Sequence, residues 1–223
     1  MDKVIIVVDK LNTLHFDNYR TYLADTFIDA LGRSGLAVKL TANWPLSTGT
    51  EQQQPNILGL FELYVVEYTS TITVLKEIVE AYAKELALSI YSVNEREDFG
   101  FQRVWSLGEQ SPGMKMISLI TRKREMSEEE FDQYWSNRHR QKALSYEIPL
   151  WRYQQNKIIN YLEDSRPFDG ISLLHFKQKI DFRNRWLKTP IQAISGAWDA
   201  TRFMEFRESV TEKMVEVICI DNH

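Results

Sequence analysis

The chain has 223 residues, 43% of them hydrophobic and 26% charged, with a formal net charge of −4. That length suits one large domain or two small ones, and the mild acidity removes the global basic field that gathers nucleic acid. The one cysteine, Cys219, excludes an intrachain disulfide and any multi-cysteine metal site.

Residues 3–9 are apolar and β-branched, the pattern of a buried strand. Residues 4–8 are too short for the apolar core of a signal peptide, and Asp9 and Lys10 end the run. No window reaches the roughly eighteen apolar residues of a membrane helix, so the expected setting is soluble, reducing and cytoplasmic. His15, in Leu14-His15-Phe16, falls in a turn. Residues 18–31 place Tyr19, Tyr22, Leu23, Phe27, Ala30 and Leu31 at helical spacing, and Gly32 and Gly35 end that helix. Residues 37–44 read as a second strand. The polar stretch 47–56, with Gly49 and Pro55, is a loop. Residues 58–66 form a third strand, and 70–86 a helix with Ile72, Leu75, Val79, Tyr82 and Ala83 on one side. Residues 87–93 complete a βαββαβ unit.

The linker follows, with Ser111 and Pro112 between Gly108 and Gly113. Residues 115–121 then open a second unit. Ser127 and Glu130 form a capping box, each side chain satisfying the other's free backbone N–H, and the helix runs to about residue 144. Residues 151–158 are a strand, 161–169 a polar loop with Pro167, and 171–176 the next strand. Residues 182–186 and 189–203 are helical, and 213–220 form the last strand, where Cys219 reads as a small buried hydrophobe.

The two units align 112 residues apart, Val4 with Met116, Tyr22 with Tyr134 and Leu23 with Trp135. Phe27 stands where the second unit has His139. The boundaries expected are a degenerate repeat over 1–107, a linker over 108–114 and a second repeat over 115–223. The fold class is α+β: tandem ferredoxin-like βαββαβ repeats with antiparallel sheets. Helices cover one face of each sheet, so the open faces must be covered too. Apposing them makes an α+β barrel, within one chain or between two chains of a homodimer.

Several segments of the second unit carry a family resemblance. They are residues 116–122, the pattern Ser127-x-x-x-Phe131-x-x-Tyr134-Trp135-x-x-x-His139, Trp151-Arg152-Tyr153-Gln154-Gln155-Asn156, Phe168-Asp169-Gly170-Ile171, and the ending Asp221-Asn222-His223. On these, residues 115–223 resemble the EthD family of dimeric α+β barrel proteins. The resemblance implies an aromatic or polyketide-like compound and cofactor-free dehydration, decarboxylation or isomerisation. Related barrels include cofactor-free monooxygenases, and a non-catalytic binding or assembly protein is the further alternative. The first unit is similar in element order only and reads as a pseudo-partner completing the barrel.

His139 is the first candidate. It follows Phe131 and Trp135 by eight and four residues, at the border of the apolar stripe. A partly buried histidine takes or gives a proton near neutral pH; the plainer reading is a helix-end histidine on a backbone carbonyl. Tyr134 and Tyr153 are the orienting phenols, able to donate to a developing oxyanion. Trp135 and Trp151 offer aromatic walls for a flat substrate, although Trp135 reads first as core. Alternation places Trp151, Tyr153 and Gln155 on one strand face. Asn156 and His175 complete the expected substrate contacts; Asn156 as a strand end and His175 as a satisfied core residue are the bland alternatives.

The four histidines have no metal-ligand spacing, and Glu128-Glu129-Glu130 suits the positive end of a helix dipole. No Gly-rich phosphate loop and no nucleophile elbow are present. The expected partner is a small molecule, with no metal, no cofactor, no nucleic acid and no membrane.

Overall fold

The computed structural model describes residues 1–11, 19–46, 55–145, 150–184 and 190–222. The described strands are β1 (Asp2–Leu11), β2 (Ala37–Pro45), β3 (Gly59–Val65), β4 (Leu86–Asp98), β5 (Met114–Ile120), β6 (Leu150–Tyr161), β7 (Gly170–Phe176) and β8 (Val210–Asp221). They close into one barrel in the order β1-β3-β2-β8-β5-β7-β6-β4, and β4 returns to β1. Each half contributes four contiguous strands. Two antiparallel seams join the halves, β2 with β8 and β4 with β6. The open sheet faces therefore cover each other within one chain. The barrel strands leave no unpaired edge for a second copy to complete.

The helices lie outside. Helix α1 covers residues 19–33, with a π-helical stretch Leu23–Ile28 between the α turns Tyr19–Tyr22 and Asp29–Arg33. Helix α2 is Tyr68–Tyr82. Helix α3 covers residues 128–145 and repeats the design of α1, with π-helical Tyr134–His139 between Glu128–Gln133 and Arg140–Ser145. Helices α4 (Lys179–Asn184) and α5 (Pro190–Ala200) follow. The capping box forms as its sequence requires: Glu130 N donates to Ser127 Oγ at 3.2 Å, and Ser127 N to Glu130 Oε2 at 2.8 Å. The π segments were not legible in the periodicity. Both halves carry one at nearly the same place, which points to a common layout.

Strand alternation sorts the two faces. In the first half Val4, Ile6, Val8, Phe61 and Leu63 face outward, against Leu23, Phe27, Leu31 and Leu75 of the helices. In the second half Phe131, Trp135, Ile120 and Phe203 pack together. The barrel interior is itself amphipathic. Ile5, Val7, Leu60, Tyr91, Leu119, Phe168 and Ile171 fill one half with apolar side chains. Lys3, Glu62, Lys115 and Glu216 fill the other with charge.

Trp135 fixes the third strand of the second unit. A Cβ on Gly170 would lie 2.6 Å from the Trp135 ring. Gly170→Ala should therefore destabilise the protein by about 1–3 kcal/mol through overpacking, measured by urea denaturation. The neighbouring Asp169 accepts the Arg122 backbone N–H at 2.8 Å and pairs with its guanidinium. The Tyr-Trp and Asp-Gly motifs thus meet in the fold as a packing pair.

The connection from β4 to β5 crosses the charged end of the barrel. Phe99 holds φ at 62°, a left-handed conformation rare for a bulky residue. Gly108 N donates to Ile218 O at 2.9 Å and Ser111 N to Glu216 O at 2.8 Å. Gln110 bridges Val217. Phe101, Trp105 and Trp151 stack over His175 here.

Cys219 is half-buried at the edge of the first-half core. No helix among the described residues is long and apolar enough to cross a membrane. His15, His223 and most of the 47–56 loop lie outside the described residues.

Candidate active site

The π-helical stretch of α3 brings Tyr134 and His139 onto a single carboxylate. Asp199, near the end of α5, is 8% exposed. His139 Nδ1 lies 2.7 Å from its Oδ2, and Tyr134 OH donates to Oδ1 at 3.0 Å. Lys142 Nζ stands 3.6 Å from Oδ1 and donates to Ser195 O at 3.0 Å. The ring of Phe203 lies 4.7 Å from the imidazole.

The protonation states follow from the surroundings. Burial alone would raise the Asp199 carboxyl, but its bonds from His139 and Tyr134 hold it below its ordinary value. Burial pulls His139 below 6.5, against the opposing pull of Asp199. The imidazole is thus neutral at pH 7, and the carboxylate, an acceptor only, places the proton on Nδ1. That leaves the Nε2 lone pair free to take a proton. Burial, then the bond to Asp199, raises the Tyr134 phenol, which stays protonated.

The first half replaces this cluster with packed aromatic rings. Phe27 packs on Phe61 at 5.5 Å and on Tyr82 of α2 at 5.2 Å, and Tyr22 meets Tyr82 at 6.3 Å. The helix pair and the tyrosine are kept while Phe27 stands in place of the histidine, so the molecule is asymmetric, as Phe27 predicts.

The remaining sequence candidates go elsewhere. Trp135 is fully buried and stacks on Phe131 at 5.3 Å, a core residue. Tyr153 lies under α3 on the helix-facing side of β6, not inside the barrel. Its hydroxyl accepts from Gln155 Nε2 at 2.9 Å, and Gln155 also donates to Trp135 O. The structure does not bring Tyr153 into the His139 cluster. Trp151 does not share its face, because the β6–β7 register shifts between Leu150 and Arg152. That shift places Trp151 on the aromatic cap, where its ring stacks on Trp105 at 5.8 Å. Asn156 points into the barrel and donates to Ile171 O at 3.1 Å. His175 also faces inward. Its Nε2 lies 3.0 Å from Pro112 O, and burial pushes its pKa down to about 4. Expected contacts thus divide among the helix layer, the barrel interior and the barrel end.

Sequence reasoning missed Asp199 and the interior charges. Asp199 carried no signal, being one acid in a helical stretch. The interior charges did carry one: Lys3, Glu62, Lys115 and Glu216 each interrupt an apolar strand, and a charge there needs a partner. Lys3 Nζ contacts Glu62 at 2.8 Å and Glu95 at 2.5 Å. Lys115 Nζ contacts Glu62 at 2.8 Å and also Glu216. Asn43 Nδ2 and Ser111 Oγ donate to Glu62 and Glu216. Burial opposes ionisation of Glu62, but Lys115 and Lys3 hold it well below its ordinary value.

A surface cleft of about 300 Å³ opens near the N-terminal end of α3, bordered by Arg122, Phe131, Lys157, Ile158, Tyr161 and Phe168 among others. His139 is not on its wall.

No family model matches the chain, and no curated protein does. Among solved structures it is similar to an anthrone oxidase-like protein, with a TM-score of 0.68 at 6% identity over 100% of this chain and 95% of that one. It also overlaps chlorite dismutase from Candidatus Nitrospira defluvii, with a TM-score of 0.49 at 13% identity over 96% and 90% of the two chains. At such identities the first likeness speaks to fold alone: this chain is an α+β barrel, closed on itself.

Proposed function

We propose that the protein binds a small aromatic or polyketide-like compound and moves a proton on it, with His139 as the base. One observation carries this reading: Asp199 holds His139 Nδ1 at 2.7 Å while also accepting from Tyr134. A carboxylate that orients a neutral imidazole leaves Nε2 able to accept a proton from a substrate C–H or O–H. Tyr134 stands on the same carboxylate as the second donor of the site. The resemblance of residues 115–223 to EthD proteins supports an aromatic substrate and cofactor-free dehydration, decarboxylation or isomerisation. The test is turnover of hydroxylated aromatic ketones by His139→Gln. A folded variant as fast as the parent protein would end this reading and leave a non-catalytic binding protein.

A second reading draws on the anthrone oxidase-like neighbour. Loss of a proton from an anthrone to His139 gives an electron-rich anion that can react with dioxygen. Anthrone plus dioxygen then yields anthraquinone plus water, with no other oxidant needed. Oxygen uptake with an anthrone substrate separates this oxidation from a dehydration, which consumes none.

A further inference from the structure

The His139 cluster has a cationic rim whose charges its own carboxylate does not answer. Arg138, one turn beyond Tyr134 on α3, places its guanidinium 5.9 Å from the Tyr134 ring. Arg202, just past α5, places its guanidinium over the Trp198 ring at 3.9 Å. Both are near enough to Tyr134 to favour its ionised form electrostatically. Among the described residues neither has a carboxylate within ion-pair distance. Lys142, by contrast, is paired with Asp199 at 3.6 Å.

The nearby acids are committed. Asp199 already takes His139 and Tyr134. Glu130 closes the Ser127 cap, and Asp132 is held by both nitrogens of Arg96 at 2.7 and 2.8 Å. Trp198 remains 57% exposed with Arg202 on it. Two exposed guanidinium groups thus stand near Tyr134, which shares Asp199 with the neutral base, and Arg202 lies over the exposed Trp198 ring. Guanidinium is weakly hydrated and planar, so it pairs well with delocalised oxyanions.

We infer that the rim of Arg138, Arg202 and Trp198 selects flat ring compounds that carry a delocalised negative charge or acquire one on losing a proton. This rests on His139 as the base. When Nε2 takes a proton from a phenol or an acidic C–H, the bonding pair stays on the substrate as a phenolate or enolate. The imidazole becomes imidazolium. The guanidinium groups then face charge that the neutral substrate lacked, which favours the charged state over the ground state.

The experiment compares 1-naphthoate with its neutral analogue 1-naphthalenemethanol, by titration calorimetry on the intact chain. The naphthoate should bind about tenfold more tightly, with the advantage shrinking as salt is added. Arg138→Gln with Arg202→Gln should remove that advantage and leave the neutral probe unchanged. Arg138→Lys with Arg202→Lys should retain part of it, which a merely structural role would not predict. Equal affinity for the two probes, or an advantage that survives the double glutamine variant, overturns the rim. His139→Gln should bind naphthoate within about twofold of the parent protein. Lost turnover with retained naphthoate preference upholds both readings. Retained turnover with that preference removes the base and leaves the rim as an anion-binding site.

Discussion

Lys115→Ala is expected to lower the stability of the chain by about 3–5 kcal/mol, the cost of stripping one partner from a buried ion pair. Lys115 is fully buried between Glu62 and Glu216. Without it Glu62 keeps Lys3, while Glu216 keeps the Ser111 hydroxyl, a histidine nitrogen 3.9 Å away and the more distant charge of Arg152. That loss is a large fraction of the ~5–15 kcal/mol that holds an ordinary domain together. Urea denaturation followed by circular dichroism would measure it, and a loss under about 1 kcal/mol would contradict the network's role. Lys115→Met with Glu216→Gln should recover part of the stability, because no lone charge remains buried. The pH dependence has a defined sign. Burial opposes ionisation of Glu62 and Glu216, yet their lysine partners lower both below the ordinary value of 4.5. Their contribution is therefore complete above that pH and disappears as pH falls through the lowered values. Lys115→Ala should flatten this acid limb.

His139→Gln should reduce turnover about 10²–10⁴-fold, the usual contribution of a positioned acid or base. Asp199→Asn should reduce it less, because the imidazole remains but loses its charged anchor and its fixed tautomer. The pH profile distinguishes the two. In the parent protein turnover should rise through a histidine midpoint that burial holds below 6.5 and stay level at pH 7 and above. Asp199 opposes that lowering, so Asp199→Asn should move the midpoint further down. Purely structural damage would lower the rate and leave the midpoint in place.

The architecture was legible because alternation and helical spacing are local. Val4, Ile6 and Val8 announce a strand, and Ser127 with Glu130 announces a helix start. Closure of the ring within one chain was open, because pairing of Leu40 with Ile220 leaves no trace in either strand. The site was half legible. His139 and Tyr134 stand five residues apart and share a helix, so their motif shows in the sequence. Asp199 arrives 60 residues later, through tertiary packing that no local pattern encodes. Tyr153 went the other way for a non-local reason: alternation put it on a face with Gln155 correctly, but which face the helices cover depends on the whole sheet. Trp151 left that face through a one-residue shift that strand periodicity does not foresee.

The ring closure also bears on how the chain is made. The β2–β8 seam joins residues near 40 to residues near 218, and β4–β6 joins the halves on the other side. During synthesis the first four strands present two bare edges; β6 covers that of β4, but the edge of β2 must wait until β8 has emerged. Bare edges invite pairing with other chains, and distant pairings are slow to form. The same long-range seams that close the barrel within one chain leave the nascent chain dependent on β8, and most prone to aggregate just before that strand arrives.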